Sequence, residues 1–131
     1  RTSAYRLDPD LGIALDVTLT GDTPKTRPVM AVALGEGPAV KVKDSGMIAS
    51  PKVVKLMVDA AATNDIPYQL EVLTGGTTDA AAMQITRSGV AAGCISVPCR
   101  YVHSPSEMID INDLQNAVKL ILKIIEKPIK L

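Results

Sequence analysis

Apolar positions fall in short runs and helical stripes along the chain. Ile13 to Leu19 is an apolar run interrupted by one carboxylate, Asp16, and predicts a strand. Before it, Arg1 to Leu11 is polar, with a turn signal at Asp8-Pro9-Asp10. Gly21-Asp22-Thr23-Pro24 and Lys25 to Pro28 read as a loop, and Val29 to Leu34 as a short strand or as lining beneath a loop. Ala39 to Lys43 alternates Val40 and Val42 with Lys41 and Lys43, the pattern of a half-buried strand. Ser50-Pro51 suits a helix start, and Val53, Val54, Met57, Ala60 and Ala61 then recur at helical spacing to about Ala62. Asn64-Asp65-Ile66-Pro67 stops that helix, and Tyr68 to Leu73 predicts a strand.

The remaining pattern repeats this order. Thr74-Gly75-Gly76-Thr77-Thr78-Asp79 is a glycine-rich turn into a helix over Ala80 to Ser88, with Gly89 placed to end it in the left-handed conformation. Ala91 to Val97 predicts a buried strand, followed by a polar loop holding His103. A last helix starts near Asp110 or Asn112, with Leu114, Ala117, Val118, Ile121, Leu122 and Ile125 as its buried stripe; Lys123 and Lys127 suit its end and Pro128 stops it. Helix, strand, helix, strand, helix predicts an α/β fold: a mixed, largely parallel sheet flanked by helices, with right-handed crossovers.

Composition narrows the picture. At 131 residues, 47% of them apolar, the chain is one domain's worth with a real core. Only 2% are aromatic, so that core is aliphatic, as suits parallel strands covered on both faces. The net charge is zero, and there is neither a basic footprint nor a set of stacking aromatics for nucleic acid. No apolar span approaches the length needed to cross a membrane, and a cytoplasmic location is the default expectation. Cys94 and Cys99 are too few for a disulfide scaffold and lack zinc-ribbon spacing. They read as reduced, packed thiols, with a redox or metal pair as the sharper alternative. The chain starts at Arg1 without Met, which suggests a piece of something longer.

Three features could carry chemistry. His103, the only histidine, lies just past a buried strand beside Ser104-Pro105 and Glu107, where open α/β sheets place ligands. Its imidazole could ligate a metal, or it could be an ordinary surface or core residue. Asp16 interrupts an apolar strand; such a carboxylate is paired, bound to a cation, or merely solvated at a sheet edge. The Gly75-Gly76 turn could present N–H groups to an anion, or could be a plain strand-to-helix connection; it lacks the P-loop and dinucleotide patterns. One Asp and one His do not by themselves complete a metal site.

Leu15-Asp16-Val17-Thr18, Gly21-Asp22-Thr23-Pro24, Gly75-Gly76-Thr77-Thr78-Asp79-Ala80 and the run from Ser96 to Glu107 occur in the order found in the tetrahedral metallo-aminopeptidases. These are glutamyl or deblocking aminopeptidases, often labelled endoglucanase or cellulase M. The likeness spans essentially the whole chain, and Arg1-Thr2-Ser3-Ala4 resembles the segment just after that family's Glu-Glu-Val-Gly motif. The resemblance implies a phosphorylase/hydrolase-like zinc-peptidase catalytic domain. It also implies two divalent metals, zinc or cobalt, and hydrolysis of residues from peptide N-termini through a metal-bound hydroxide.

On that mapping Asp16 and His103 are metal ligands. Thr74, Gly75, Gly76 and Thr78 line the pocket for the first substrate side chain, with Asp79 and Arg100 close by. The family's early His, bridging Asp, ligating Glu and general-base Glu, and most of its inserted dimerisation domain, are expected before Arg1. The chain then corresponds to the carboxyl-terminal part of the catalytic domain and is expected to be inactive alone. Expected partners are peptide substrates and further copies, in a tetrahedral dodecamer, with neither nucleic acid nor membrane. Two other classes stay open. One is a non-catalytic α/β domain acting by association with another chain. The other, more distant, is a glycosidase using Asp16 and Glu107 as facing carboxylates, which would leave His103 unexplained.

Overall fold

The structure is a computed structural model, and it describes residues 1–26 and 30–131. Its elements are α1 (Thr2–Leu7), β1 (Leu11–Leu19), β2 (Ala39–Lys43), α2 (Pro51–Thr63), β3 (Gln69–Val72), α3 (Asp79–Gln84), β4 (Ala91–Arg100), β5 (Met108–Ile109) and α4 (Ile111–Ile125). The sheet order is β1-β4-β2-β3, with β5 added against β4. β1 runs parallel to β4 along its whole length, from Leu11 beside Ala91 to Leu19 beside Cys99. β2 and β3 are also parallel, joined through α2. β4 runs against β2, so the connection through α3 reverses direction instead of repeating the parallel crossover. The sheet is therefore mixed, with most paired residues in parallel ladders.

Helices cover both faces. Strand side chains alternate, so Val40 and Ile95 meet Val53, Met57 and Ala61 of α2 and Ala117, Leu120 and Ile124 of α4. On the opposite face Ala14, Ala92 and Cys94 pack with Met47, Ala49 and Ala80 of α3. Gly93 explains how closely α2 approaches: a Cβ there would lie 2.7 Å from Val53 Cγ1 and 2.9 Å from Met57 Cε. Any larger residue would push the helix off the sheet.

Several expectations change. Arg1 to Leu11 contains α1, which its own sequence barely supports. The helix is held by Ala4, which is buried, and by Arg87, whose guanidinium lies 4.1 Å over the Tyr5 ring and whose Nε donates to the Tyr5 carbonyl at 2.8 Å. Residues 27–29, part of the expected loop and possible strand, lie outside the described residues; Met30 to Leu34 form no strand, though Val32 is buried. The helix expected over Ala80 to Ser88 ends at Gln84, and Gly89, with φ 107°, follows an irregular turn instead of capping it.

Lys41 does not face water: it is wholly buried against Glu71. α4 is rotated from the expected stripe. Its buried positions are Asp113, Ala117, Leu120 and Ile124, while Leu114, Val118, Leu122 and Ile125 are exposed. The helix has apolar residues on two faces, and only one meets the sheet. Asp110 is the N-cap, its Oδ1 accepting the Asn112 N–H at 2.7 Å.

Candidate active site at the ends of β1 and β4

The parallel pairing of β1 with β4 sets the site. It brings Asp16 opposite Ser96 and delivers both strands' carboxyl ends to the same edge. β4 then ends in a tight loop with Tyr101 at φ 61° and His103 at φ 65°, returning as β5 with Cys99 opposite Ile109. His103 adopts the left-handed backbone because Glu107 holds it there: Glu107 Oε1 accepts the His103 N–H at 2.7 Å. The imidazole is exposed and free for a ligand.

Asp16 and His103 line one cleft of about 330 Å³. The cleft's other walls are Val17, Thr18 and Leu19 of β1, Leu73, the turn Gly75 to Thr78, and Val102. Asp16 is exposed and its Oδ1 accepts the N–H of Val17 at 2.8 Å, leaving the second oxygen free. Its position on an edge strand explains how a carboxylate sits in an apolar run without a buried partner.

The glycine turn is pinned from below. The Ser45 N–H donates to the Gly76 carbonyl at 3.1 Å, and Thr77 Oγ1 donates to Asp44 Oδ1 at 3.1 Å. Gly75, Gly76 and Thr78 therefore face Asp16 and His103 across the cleft. α3 has only six residues, and the turn is better described as a wall than as an anion cradle.

The other expected site residues lie around this cleft. Thr74 lines an adjoining cavity of about 510 Å³ with Gly75, Thr20, Cys99 and Tyr101. Asp79 borders an open depression beside Asp16, Thr77 and Thr78. Arg100 is not among the cleft's lining residues: it forks onto Asp22, Nε to Oδ1 at 3.0 Å and Nη2 to Oδ2 at 2.7 Å. The pair keeps the Asp22 carboxyl well below the usual carboxylate range and raises Arg100. Glu107, the other carboxylate of the glycosidase scheme, does not line the cleft either; it accepts from His103 and from Cys99 Sγ, at 3.7 Å.

Beneath the cleft lies a polar cluster that the sequence reading did not single out. Lys41 Nζ is 2.9 Å from Glu71 Oε2, both side chains fully buried, and Thr18 Oγ1 donates to Glu71 Oε1. A lysine alternating with valines gives no signal of burial by itself. The one available hint is Glu71, a charge inside the short strand Tyr68 to Leu73. Cys94 and Cys99 are free and buried, and stand an odd number of residues apart on β4, so they face opposite sides. Burial pushes both thiols up, which suits packing and not redox chemistry.

No group of three or more His, Cys, Asp and Glu among the described residues could close around a metal ion. Asp16 and His103, one carboxylate and one imidazole, have the chemistry of metal ligands and line the same cleft.

The fold is a mixed α/β sheet flanked by helices, with a carboxylate on β1 and an imidazole in the loop after β4 lining one cleft. The chain belongs to the M42 glutamyl aminopeptidase family, whose sequence profile matches residues 1–120. A protein of Acetivibrio thermocellus is 49% identical over 125 residues, which is 95% of this chain and 38% of that protein. The aminopeptidase APDkam598 from the archaeon Desulfurococcus kamchatkensis superposes with a TM-score of 0.93 at 46% identity, over 97% of this chain and 37% of its own. The Pyrococcus horikoshii TET1 peptidase, which can assemble into a tetrahedron or a large octahedral shell, gives 0.74 at 30% identity, over 94% and 36%. The chain thus spans little more than a third of the length of these relatives. No helix among the described residues is long and apolar enough to cross a membrane.

Proposed function

We propose that these 131 residues are the carboxyl-terminal part of the catalytic domain of a dinuclear-metal aminopeptidase that removes N-terminal residues from peptides. One observation carries this reading: Asp16 and His103 share a cleft in a chain of the M42 family. Asp16 and His103 would each hold a divalent metal, zinc or cobalt, from one side. The ligands for the other side, the general-base Glu and an inserted dimerisation domain would come from the rest of the protein. A bound metal pair supplies Lewis-acid activation of water and of the scissile carbonyl.

The chain's own residues then act on the substrate's position. The Gly75 to Thr78 wall, with Thr74 beside it, shapes the space for the first side chain; Gly75 has open space around it, which lets a substrate come close to the backbone. Asp79 borders that space. Arg100 braces the loop at Asp22 instead of touching substrate. The complete protein is proposed to be cytoplasmic and to assemble from many copies.

Substitution in the complete protein tests the reading. His103→Ala and Asp16→Ala should each abolish metal loading and peptidase activity together. The 131-residue chain alone should show negligible peptidase activity and no tight stoichiometric binding of two metals. Tight binding of two metals by the chain alone, or full activity of either variant, overturns it.

A further inference from the structure

We infer that the buried Lys41–Glu71 pair is a positioning device that acts through Thr18 to hold the carboxylate end of β1 against the cleft. The inference rests on Asp16 being a metal ligand.

Lys41 on β2 and Glu71 on β3 are direct register partners. Both side chains are fully buried, with Nζ and Oε2 2.9 Å apart. Burying two charges is costly, and an apolar pair of similar volume often folds as well or better. What the ion pair adds is a charged acceptor, and that acceptor has a second partner. Glu71 Oε1 accepts the hydroxyl of Thr18, which lies on β1 at the far edge of the sheet.

Thr18 stands two residues after Asp16, so both side chains leave β1 on the same face. Both line the cleft with His103. Among the described residues β1 has a hydrogen-bonded strand on one side only, β4. The strand's free side can therefore twist, and the Thr18 hydroxyl is the tie that fixes it toward the sheet interior. Lys41 fixes Glu71, Glu71 fixes Thr18, and the strand carries that constraint to Asp16.

The Val17 amide reports the result directly, because its N–H donates to Asp16 Oδ1 at 2.8 Å. Its resonance in the 131-residue chain reads the Asp16 side-chain orientation without metal or activity. Thr18→Val removes the hydroxyl and leaves the ion pair; Thr18→Ser restores it; the double variant Lys41→Met/Glu71→Leu removes both charges.

Thr18→Val and the double variant should shift the Val17 amide resonance, and Thr18→Val should also lower Tm because it leaves Glu71 Oε1 buried without its donor. In the complete protein they should weaken metal binding about 10-fold or more. The loss in kcat/KM should come through kcat, and Thr18→Ser should stay near wild type. Wild-type metal affinity in Thr18→Val, or an unmoved Val17 resonance in the double variant, whose substitutions are remote from Val17 in sequence, overturns the inference. If the double variant does not fold, the Thr18→Val and Thr18→Ser pair decides. If the wild-type complete protein takes up no divalent metal, the aminopeptidase reading fails, and the Val17 resonance in the double variant alone judges the tie.

Discussion

Glu107 holds His103 by its backbone: the His103 N–H donates to Glu107 Oε1 at 2.7 Å, and the residue sits at φ 65°. A non-glycine residue in that region is uncommon and needs a local anchor. The carboxylate thus fixes the loop while leaving the imidazole unengaged. Glu107→Ala should release the loop and lower metal affinity of the complete protein about 10-fold, with little change in Tm. Glu107→Gln retains an acceptor oxygen and should fall between Ala and wild type. Metal competition titrations of the three proteins check the order.

Arg100 and Asp22 make a two-point charged contact, with side chains about a third and a fifth exposed. The Asp22 carboxyl is held below its ordinary value first by Arg100, helped by the Thr20 hydroxyl and the Leu34 N–H and opposed by burial. A lowered folded value means the stabilisation is complete above the unfolded carboxylate value, about 3.9, and fades as pH falls below it. Asp22→Asn should cost about 1–2 kcal/mol at neutral pH, the partial exposure discounted. Its stability should also be flatter than wild type in acid. Urea titrations from pH 7 to pH 3 measure the gap, which should narrow at the acid end.

The two strands that build the site were readable because their patterns agree with their surroundings. β4 is apolar on both faces and is covered on both, so its run announces it. β1 shows its edge position only through Asp16. The misreadings share a cause: the competing contact comes from far along the chain. Lys41 looks outward until Glu71 is placed beside it, and α1 has no reason to be helical until Arg87 stacks on Tyr5. The stripe on α4 merged two faces because nothing in a helical period says which one meets the sheet. In the cleft, Asp16 and His103 carry a chemical signal of their own, whereas Thr18 and Glu71 acquire theirs from each other.

Asp113 pins the turn Gly35-Glu36-Gly37-Pro38 between the first part of the chain and β2. It is fully buried in the first turn of α4, and its two oxygens accept the N–H groups of Gly35 and Gly37, each at 2.8 Å. Gly37 has φ 93° and packs so near Pro67 that a Cβ would lie 2.3 Å from its carbonyl oxygen. Asp113→Ala leaves two donors without an acceptor and should cost about 2–4 kcal/mol. Asp113→Asn keeps one acceptor and should cost about half as much. Chemical denaturation of the 131-residue chain distinguishes the two, and equal stabilities would dismiss the carboxylate as a strut.

The strip beside the free side of β1 is apolar and open. Leu15 is 62% exposed and Val17 38% on the strand, and Leu114 is 38% and Val118 50% on α4. Together with Ile95, Val97, Ala117 and Ile121 the first, third and fourth of these frame a narrow groove of about 90 Å³. Apolar residues contiguous along a strand edge and a helix face mark an association surface. If the rest of the protein covers this strip, the isolated chain must bury it in some other way. It should therefore self-associate at micromolar to millimolar concentration. Leu114→Lys with Val118→Lys should restore a monomer in sedimentation equilibrium while leaving Tm nearly unchanged, because neither side chain is buried. In the complete protein the same pair should instead lower stability by about 2–5 kcal/mol, the cost of charges placed in a covered interface. Equal effects in both settings would mean that the strip faces solvent in the whole protein, and the proposed missing portion would have to dock elsewhere.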